Sequence, residues 1–311
     1  MLSKNKSIAV MFSYEMLPVL HSKGFKNVTL LIDKPRKSIY NIVAKYGYKV
    51  LKLEEVDMKF DVIIGNPPYQ ETKNSGDRKD QASNLWSKFW TKSFDLTKGK
   101  GIVALITPTS WLSPSSDLKG ENKINGHTRL WNVFNNYTSL ANVKDVSKYF
   151  PNIGSSFGYV IVNKSGNEGL KFTDGSDTSL GFLPKSNFET VSKQLSRTNN
   201  IGSTFIVNQS NTSDMRVCIP MTRKLTAGSI EILKDEGIPT GGSEKDNLYI
   251  YIHVNTKKQA KYVQSRVRSC LDILNTDCRW SGFVNIQIVK MIDMSKHDLI
   301  RIYDESKANA I

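Results

Sequence analysis

The chain opens with short apolar runs separated by amphipathic stretches, the rhythm of a parallel sheet with crossover helices. Residues 7–12 read as a strand, and 14–22 as a helix closed by Lys23 and Gly24. A second strand over 28–32 ends at Asp33. Ile39, Ile42, Val43 and Tyr46 then recur at helical spacing over 36–46, with Gly47 as the stop. Residues 48–53 give a third strand. Residues 60–65 give a fourth, a nearly unbroken apolar run of the kind expected when both faces of a sheet are covered.

A polar stretch over 71–80 reads as a loop, followed by a helix over 81–96 whose apolar stripe is Leu85, Trp86, Phe89, Trp90 and Phe94. The fifth strand, 102–106, breaks at Thr107 and Pro108. After a Ser/Gly/Lys-rich loop at 113–126, residues 130–137 have a helical pattern and 157–162 the pattern of the last strand of the sheet. Residues 164–179 are rich in Gly, Ser, Asn and Asp, as expected of a linker or domain edge. Beyond them the clearest elements are a strand over 248–254 and a helix over 257–274. The expectation is an α/β domain over 1–164 and a smaller α+β region over 165–311.

Composition changes this picture little, but charge adds to it. At 39% hydrophobic and 23% charged residues, the 311-residue chain has the make-up of a soluble globular protein. It contains no apolar run of the roughly 18–20 residues that a membrane span needs. No signal-peptide pattern follows the first residues, so the cytoplasm is the expected compartment and no membrane contact is expected. Cys218, Cys270 and Cys278 lack paired spacing, and His21, His127, His253 and His297 are scattered, so neither a metal site nor a disulfide framework is expected. The net charge is +14, and residues 1–164 hold 24 Lys and Arg against 13 Asp and Glu. Such an excess favours a polyanionic partner, because each neutralised phosphate releases counterions.

The stretch most informative about chemistry is Phe60-Asp61-Val62-Ile63-Ile64-Gly65-Asn66-Pro67-Pro68-Tyr69. Ligands of an open α/β sheet collect beyond the carboxyl ends of its strands. Here that end carries an amide, two prolines that stiffen the loop, and an aromatic ring. An exocyclic amine on an aromatic base is a poor nucleophile, because its lone pair is conjugated into the ring. The Asn66 side-chain oxygen and the Pro67 carbonyl, by accepting its N–H groups, would favour a more pyramidal nitrogen. Tyr69 would stack on the base once it is flipped from its duplex.

This motif resembles the catalytic loop of amino-group methyltransferases, and its surroundings are similar to the Eco57I-type branch found in restriction-modification systems and phages. Residues 103–112 (VALITPTSWL) and 149–157 (YFPNIGSSF) also look like that branch. The resemblance covers about 25–163. It implies an adenine-N6 DNA methyltransferase with a Rossmann-like sheet, S-adenosylmethionine as methyl donor, and a C-terminal target-recognition region. Asn66, Pro67, Pro68 and Tyr69 would be catalytic; Tyr69, Pro108, Ser110 and Trp111 would border the target base.

Members of that family place a Gly-rich turn after the first strand, where this chain reads Met11-Phe12-Ser13-Tyr14-Glu15 without glycine. Either the Phe12–Glu15 backbone and Glu15 make the donor pocket differently, or the donor site is lost. The resemblance implies Asp33 as acceptor for the donor's ribose hydroxyls, against its reading as a turn carboxylate before Pro35. Asp57, with Glu55, falls where the family approaches the donor's adenine, though a solvated acidic loop fits as well. Phe94 reads as core rather than as an adenine contact.

In the second region, Lys257, Lys258, Lys261, Arg266 and Arg268 on the helix would contact phosphates or form a solvated face. Residues 280–285 loosely resemble the end of the methylase branch. The expected partner is double-stranded DNA, with a partner subunit if the donor pocket needs completing. The alternatives are an RNA or glutamine amino-group methyltransferase, and a methyltransferase-like protein that binds nucleic acid without catalysis.

Overall fold

The computed structural model describes residues 2–69, 85–112, 123–124, 128–143, 146–150, 157–175, 193–196, 198–210, 215–221, 231–233, 249–277 and 286–295. The chain divides into two compact units, one of residues 1–112 with 117–178 and one of 113–116 with 179–311.

The first unit is built on an eight-stranded sheet. Its strands are β1 (Ile8–Met11), β2 (Val28–Ile32), β3 (Lys49–Lys52), β4 (Phe60–Gly65), β5 (Thr97–Pro108), β8 (Thr138–Asn142), β9 (Phe157–Asn163) and β10 (Leu170–Phe172). The short pair β6 (Lys123–Ile124) and β7 (Thr128–Arg129) stands apart from the sheet. The spatial order is β10-β8-β9-β5-β4-β1-β2-β3. Strands β1 to β5 run parallel, and β9 enters antiparallel between β5 and β8. The winding reverses between β1 and β4, and the carboxyl ends of those two strands therefore flank the topological switch point.

Alternation along β1 explains the two-sided covering. Ile8 and Val10 face a cluster with Leu17 of α1 (Leu17–Ser22), Val43 of α2 (Lys37–Ala44), and Val28 and Leu30 of β2. Ala9 and Met11 face the opposite cluster with Leu31, Ile63, and Phe89 of α3 (Leu85–Leu96). A third cluster packs Trp86 and Trp90 of α3 and Phe134 of α4 (Leu130–Asn135) on Val103, Leu105, Val160 and Val162. With both faces covered, the central strands need the continuous apolar text seen in β4.

Three expectations change here. The stretch 164–179 is not purely a linker, because β10 lies in it and pairs with β8. The strand over 157–162 is not the last of the sheet, since β9 lies inside it with β8 and β10 beyond. The fifth strand starts earlier than expected, at Thr97, with a register irregularity opposite Phe60 and Val62.

The second unit holds a four-stranded antiparallel sheet in the order β11-β14-β12-β13. Its strands are β11 (Val207–Asn208), β12 (Arg216–Pro220), β13 (Glu231–Leu233) and β14 (Tyr249–His253), joined by α5 (Ile201–Thr204), α6 (Lys257–Asp277) and α7 (Ile286–Met291). Val217, Ile219, Ile250 and Ile252 pack against Val263, Val267 and Cys270 of α6, the α+β character expected. Arg266 does not serve a phosphate surface. It is fully buried, and its Nε donates to the Asp293 carbonyl at 2.7 Å. Arg268 is half-buried, whereas Lys257, Lys258 and Lys261 are exposed. Residues 280–285 lie outside the described residues. No described helix is long and apolar enough to cross a membrane.

Candidate active site

The site begins where β4 runs out beside β1. A side chain at Gly65 would place its Cβ 2.4 Å from the Met11 carbonyl oxygen and 2.8 Å from the Met11 Cβ, so only glycine allows this approach. The next residue, Asn66, donates its backbone N–H to Ser13 Oγ at 2.7 Å, and that hydroxyl in turn donates to the Met11 carbonyl at 3.2 Å. The Tyr69 hydroxyl donates to Asn66 Oδ1. Leu85, at the start of α3, donates its N–H to the Tyr69 carbonyl at 3.1 Å. Asn66 and Tyr69 are half-buried, Pro67 is buried and Pro68 is exposed. The loop is therefore fixed at both ends, with its amide between them.

Aromatic rings back this loop. The Tyr69 ring lies 4.8 Å from Phe157 and 6.4 Å from Phe150, which stack on each other at 4.3 Å. Burial raises the Tyr69 pKa, against a smaller opposing effect of the Asn66 hydrogen bond, so the phenol stays a neutral donor. Phe150 and Phe157 belong to a stretch noted for its resemblance, but nothing in their spacing pointed to Tyr69. Phe157 arrives through the register of β9, where it pairs with Pro108 at the end of β5.

The turn after β1 carries one unusual backbone conformation. Phe12 adopts φ +60°, the left-handed conformation that glycine takes freely and other residues take at about 1–2 kcal/mol. Its N–H donates to the Leu31 carbonyl at 3.0 Å, and its ring meets Phe89 edge-on at 4.9 Å. Tertiary contacts thus impose on a phenylalanine the backbone shape that a glycine would supply. Glu15 is exposed in the 3-10 turn Tyr14–Met16.

Asp33 is exposed directly after β2. Desolvation, then the neighbouring Glu54 carboxylate, raise its pKa, with Lys34 opposing. Asp57 is exposed beyond the turn Leu53–Glu55, and Glu55 is paired with Lys52 at 2.7 Å. The acidic partner of Asp33 is therefore Glu54, which sequence reasoning passed over.

Of the residues expected at the target base, Tyr69 and Pro108 come together around Phe157, and Ser110 lies in the 3-10 turn Thr109–Leu112. Trp111 lies in the same turn. It is 2% exposed and packs against Phe134 at 5.0 Å and Trp131 at 6.0 Å, because the turn points its ring into the core. Phe94 is likewise core, packed with Trp90 and Tyr137. Among the described residues, no three His, Cys, Asp or Glu side chains gather as a metal site. Cys218 and Cys270 are buried, and burial pushes the Cys270 pKa up to about 12.

A doubly wound α/β sheet with a preset polar loop at its switch point is the class of fold and site expected from the sequence. Residues 13–141, or 129 of the 311, match the model of the family described as Eco57I restriction-modification methylase. A relative in Mycoplasma pneumoniae, described as an uncharacterized adenine-specific methylase, is 39% identical over 61 residues. That match covers 20% of this chain and 14% of the relative. Among solved structures, one described as a class I S-adenosylmethionine-dependent methyltransferase of Listeria monocytogenes is 15% identical, with 58% of this chain and 62% of that one covered and a TM-score of 0.37. A DrdV–DNA complex is 14% identical, with 55% and 24% covered and a TM-score of 0.39. This chain thus spans less than two thirds of each of these proteins.

Proposed function

We propose that the protein is an S-adenosylmethionine-dependent DNA methyltransferase that acts on the N6 amine of a flipped-out adenine. The observation that carries this reading is the Asn66–Tyr69 loop, which is clamped between Ser13 and α3 and backed by Phe157 at the switch point. The family match over residues 13–141 supports the same chemistry.

The residues beyond β1 and β2 fit the donor. The left-handed Phe12 turn lets backbone approach a ligand without glycine, and Asp33 with Glu54 offers carboxylate acceptors for a pair of ribose hydroxyls. The bound donor supplies an electrophilic methyl group on a sulfonium. Asn66 Oδ1 and the Pro67 carbonyl accept the two N–H groups of the adenine amine and orient its lone pair. Because the Tyr69 hydroxyl donates to Oδ1, an incoming amine would take the place of that hydroxyl there. Tyr69, supported by Phe157 and Phe150, then faces the base. Positioning does much of the work, and no side chain with a pKa near neutrality is needed at the amine. The second unit, with its exposed Lys257, Lys258 and Lys261, is assigned to grip the duplex.

The test is to incubate the chain with methyl-labelled donor and, separately, duplex DNA, RNA and protein acceptors. Label in duplex DNA is expected. Label in RNA or protein alone would replace the acceptor, and no label anywhere from folded protein would overturn the enzymatic reading.

A further inference from the structure

The Ser13 hydroxyl has an unusual placement. Ser13 precedes the helical turn Tyr14–Met16, at the N-cap position where a serine side chain normally accepts a hydrogen bond from an N–H of the following turn. It makes no such bond. Only 4% exposed, its Oγ donates instead to the Met11 carbonyl at 3.2 Å and accepts the Asn66 backbone N–H at 2.7 Å. One hydroxyl thus bridges the carboxyl ends of β1 and β4, the two strands on either side of the switch point. Both neighbours reinforce the bridge. Phe12 is held left-handed, which turns Ser13 toward β4, and Gly65 leaves room for the Met11 backbone to come close.

We propose that Ser13 is a positioning residue for methyl transfer, which fixes the Asn66 loop against the donor turn through its hydroxyl; this rests on the function proposed above. A half-buried N–H without an acceptor would draw the Asn66 backbone toward other partners or water. Since Oδ1 sits on the same residue, the acceptor for the amine would move with it. Displacement on the order of 1 Å costs reactions of this kind roughly a hundredfold in rate.

The experiment compares wild type, Ser13→Ala and Ser13→Thr, with Ser13→Cys as a further variant that keeps the packing and offers only a weak acceptor. In the ligand-free full chain, hydrogen exchange at the Asn66 amide is followed by NMR with labelled asparagine. Turnover and donor KM are measured on DNA in parallel. Ser13→Ala is expected to speed Asn66 exchange at least about tenfold and to lower kcat by about ten- to a hundredfold with little change in donor KM. Ser13→Thr is expected to restore both, and Ser13→Cys to fall between and to replace the alanine variant should that fail to fold. Unchanged Asn66 exchange would overturn the assignment, as would faster exchange with wild-type turnover, or a loss confined to donor KM. Absence of transfer by the wild type would bring down the catalytic reading, while the exchange comparison would still decide whether Ser13 holds the loop.

Discussion

Asn66 is held by its backbone N–H and by its side-chain oxygen, through partners that lie on different elements. Under the proposed function, the second hold is the one a substrate would break. Tyr69→Phe removes it and keeps the ring, at a cost to the free protein of about 0.5–1.5 kcal/mol. Base capture is expected to be retained or improved in that variant. Tyr69→Ala should weaken capture by roughly 1–3 kcal/mol, the usual value of a stacked base. Equilibrium binding of DNA with a fluorescent base analogue at the target position checks both, and equal losses in the two variants would contradict this account. Asp61, at the other end of β4, has a structural task. It accepts the Ser7 N–H and hydroxyl at 2.9 and 2.8 Å and pairs with Lys6 and Lys98. Hydrogen bonds from the Ser7 backbone lead the causes that hold its pKa well below the ordinary carboxylate range. A lowered folded pKa stabilises the protein fully above the unfolded value of about 3.9, and that stability is lost as pH falls through the folded value. Asp61→Asn should therefore cost about 1–2 kcal/mol at neutral pH, a gap that narrows in melts below about pH 4. The Asn66–Tyr69 motif was legible because its residues are contiguous. Ser13, Glu54 and Phe157 were not, because each reaches the site through strand adjacency that a linear reading does not supply. Trp111 shows the converse: its place in a turn does not say which way the ring points, and the ring packs against Phe134 and Trp131.

The elements that were readable are those whose burial is symmetric. Strands β2 and β4 have the bounds expected from the sequence, because both faces are covered and every position is constrained. The strands that escaped notice are short or carry polar text, among them Thr138–Asn142, the three residues of β10, and β12, which opens on the buried Arg216. Their pairing partners, rather than their own periodicity, make them strands. At Gly65, β4 runs too close to Met11 of β1 to leave room for a side chain, and Gly65→Ala tests that approach. The added methyl meets backbone rather than a flexible side chain. The variant should lose about 1–3 kcal/mol in denaturant unfolding and should also displace Asn66. Wild-type stability together with wild-type turnover would show that the strands part without consequence.

At the scale of the whole molecule, the pattern of elements led to the expectation of an α/β domain over 1–164 and a smaller α+β region over 165–311, and the chain divides into units of 1–112 with 117–178 and 113–116 with 179–311. The junction was harder to place, because a Gly/Ser/Asn/Asp-rich stretch also accommodates β10. Charge is a whole-molecule property, and +14 on 311 residues bears on association with DNA. If the chain engages about six phosphates, affinity should fall roughly a thousandfold between 50 and 200 mM salt. Binding isotherms across that range check it, and salt-independent binding would remove the electrostatic contribution.

Under the proposed function, the loop at the end of β4 directs a methyl group to the adenine amine of DNA. The most direct test is nucleoside analysis of duplex DNA after incubation with the methyl donor and either wild-type protein or Asn66→Ala. N6-methyladenine with the wild type and none with a folded Asn66→Ala variant is the predicted result. N6-methyladenine formed equally well by Asn66→Ala would contradict the account, since the loop would then be a turn and the chemistry would lie elsewhere.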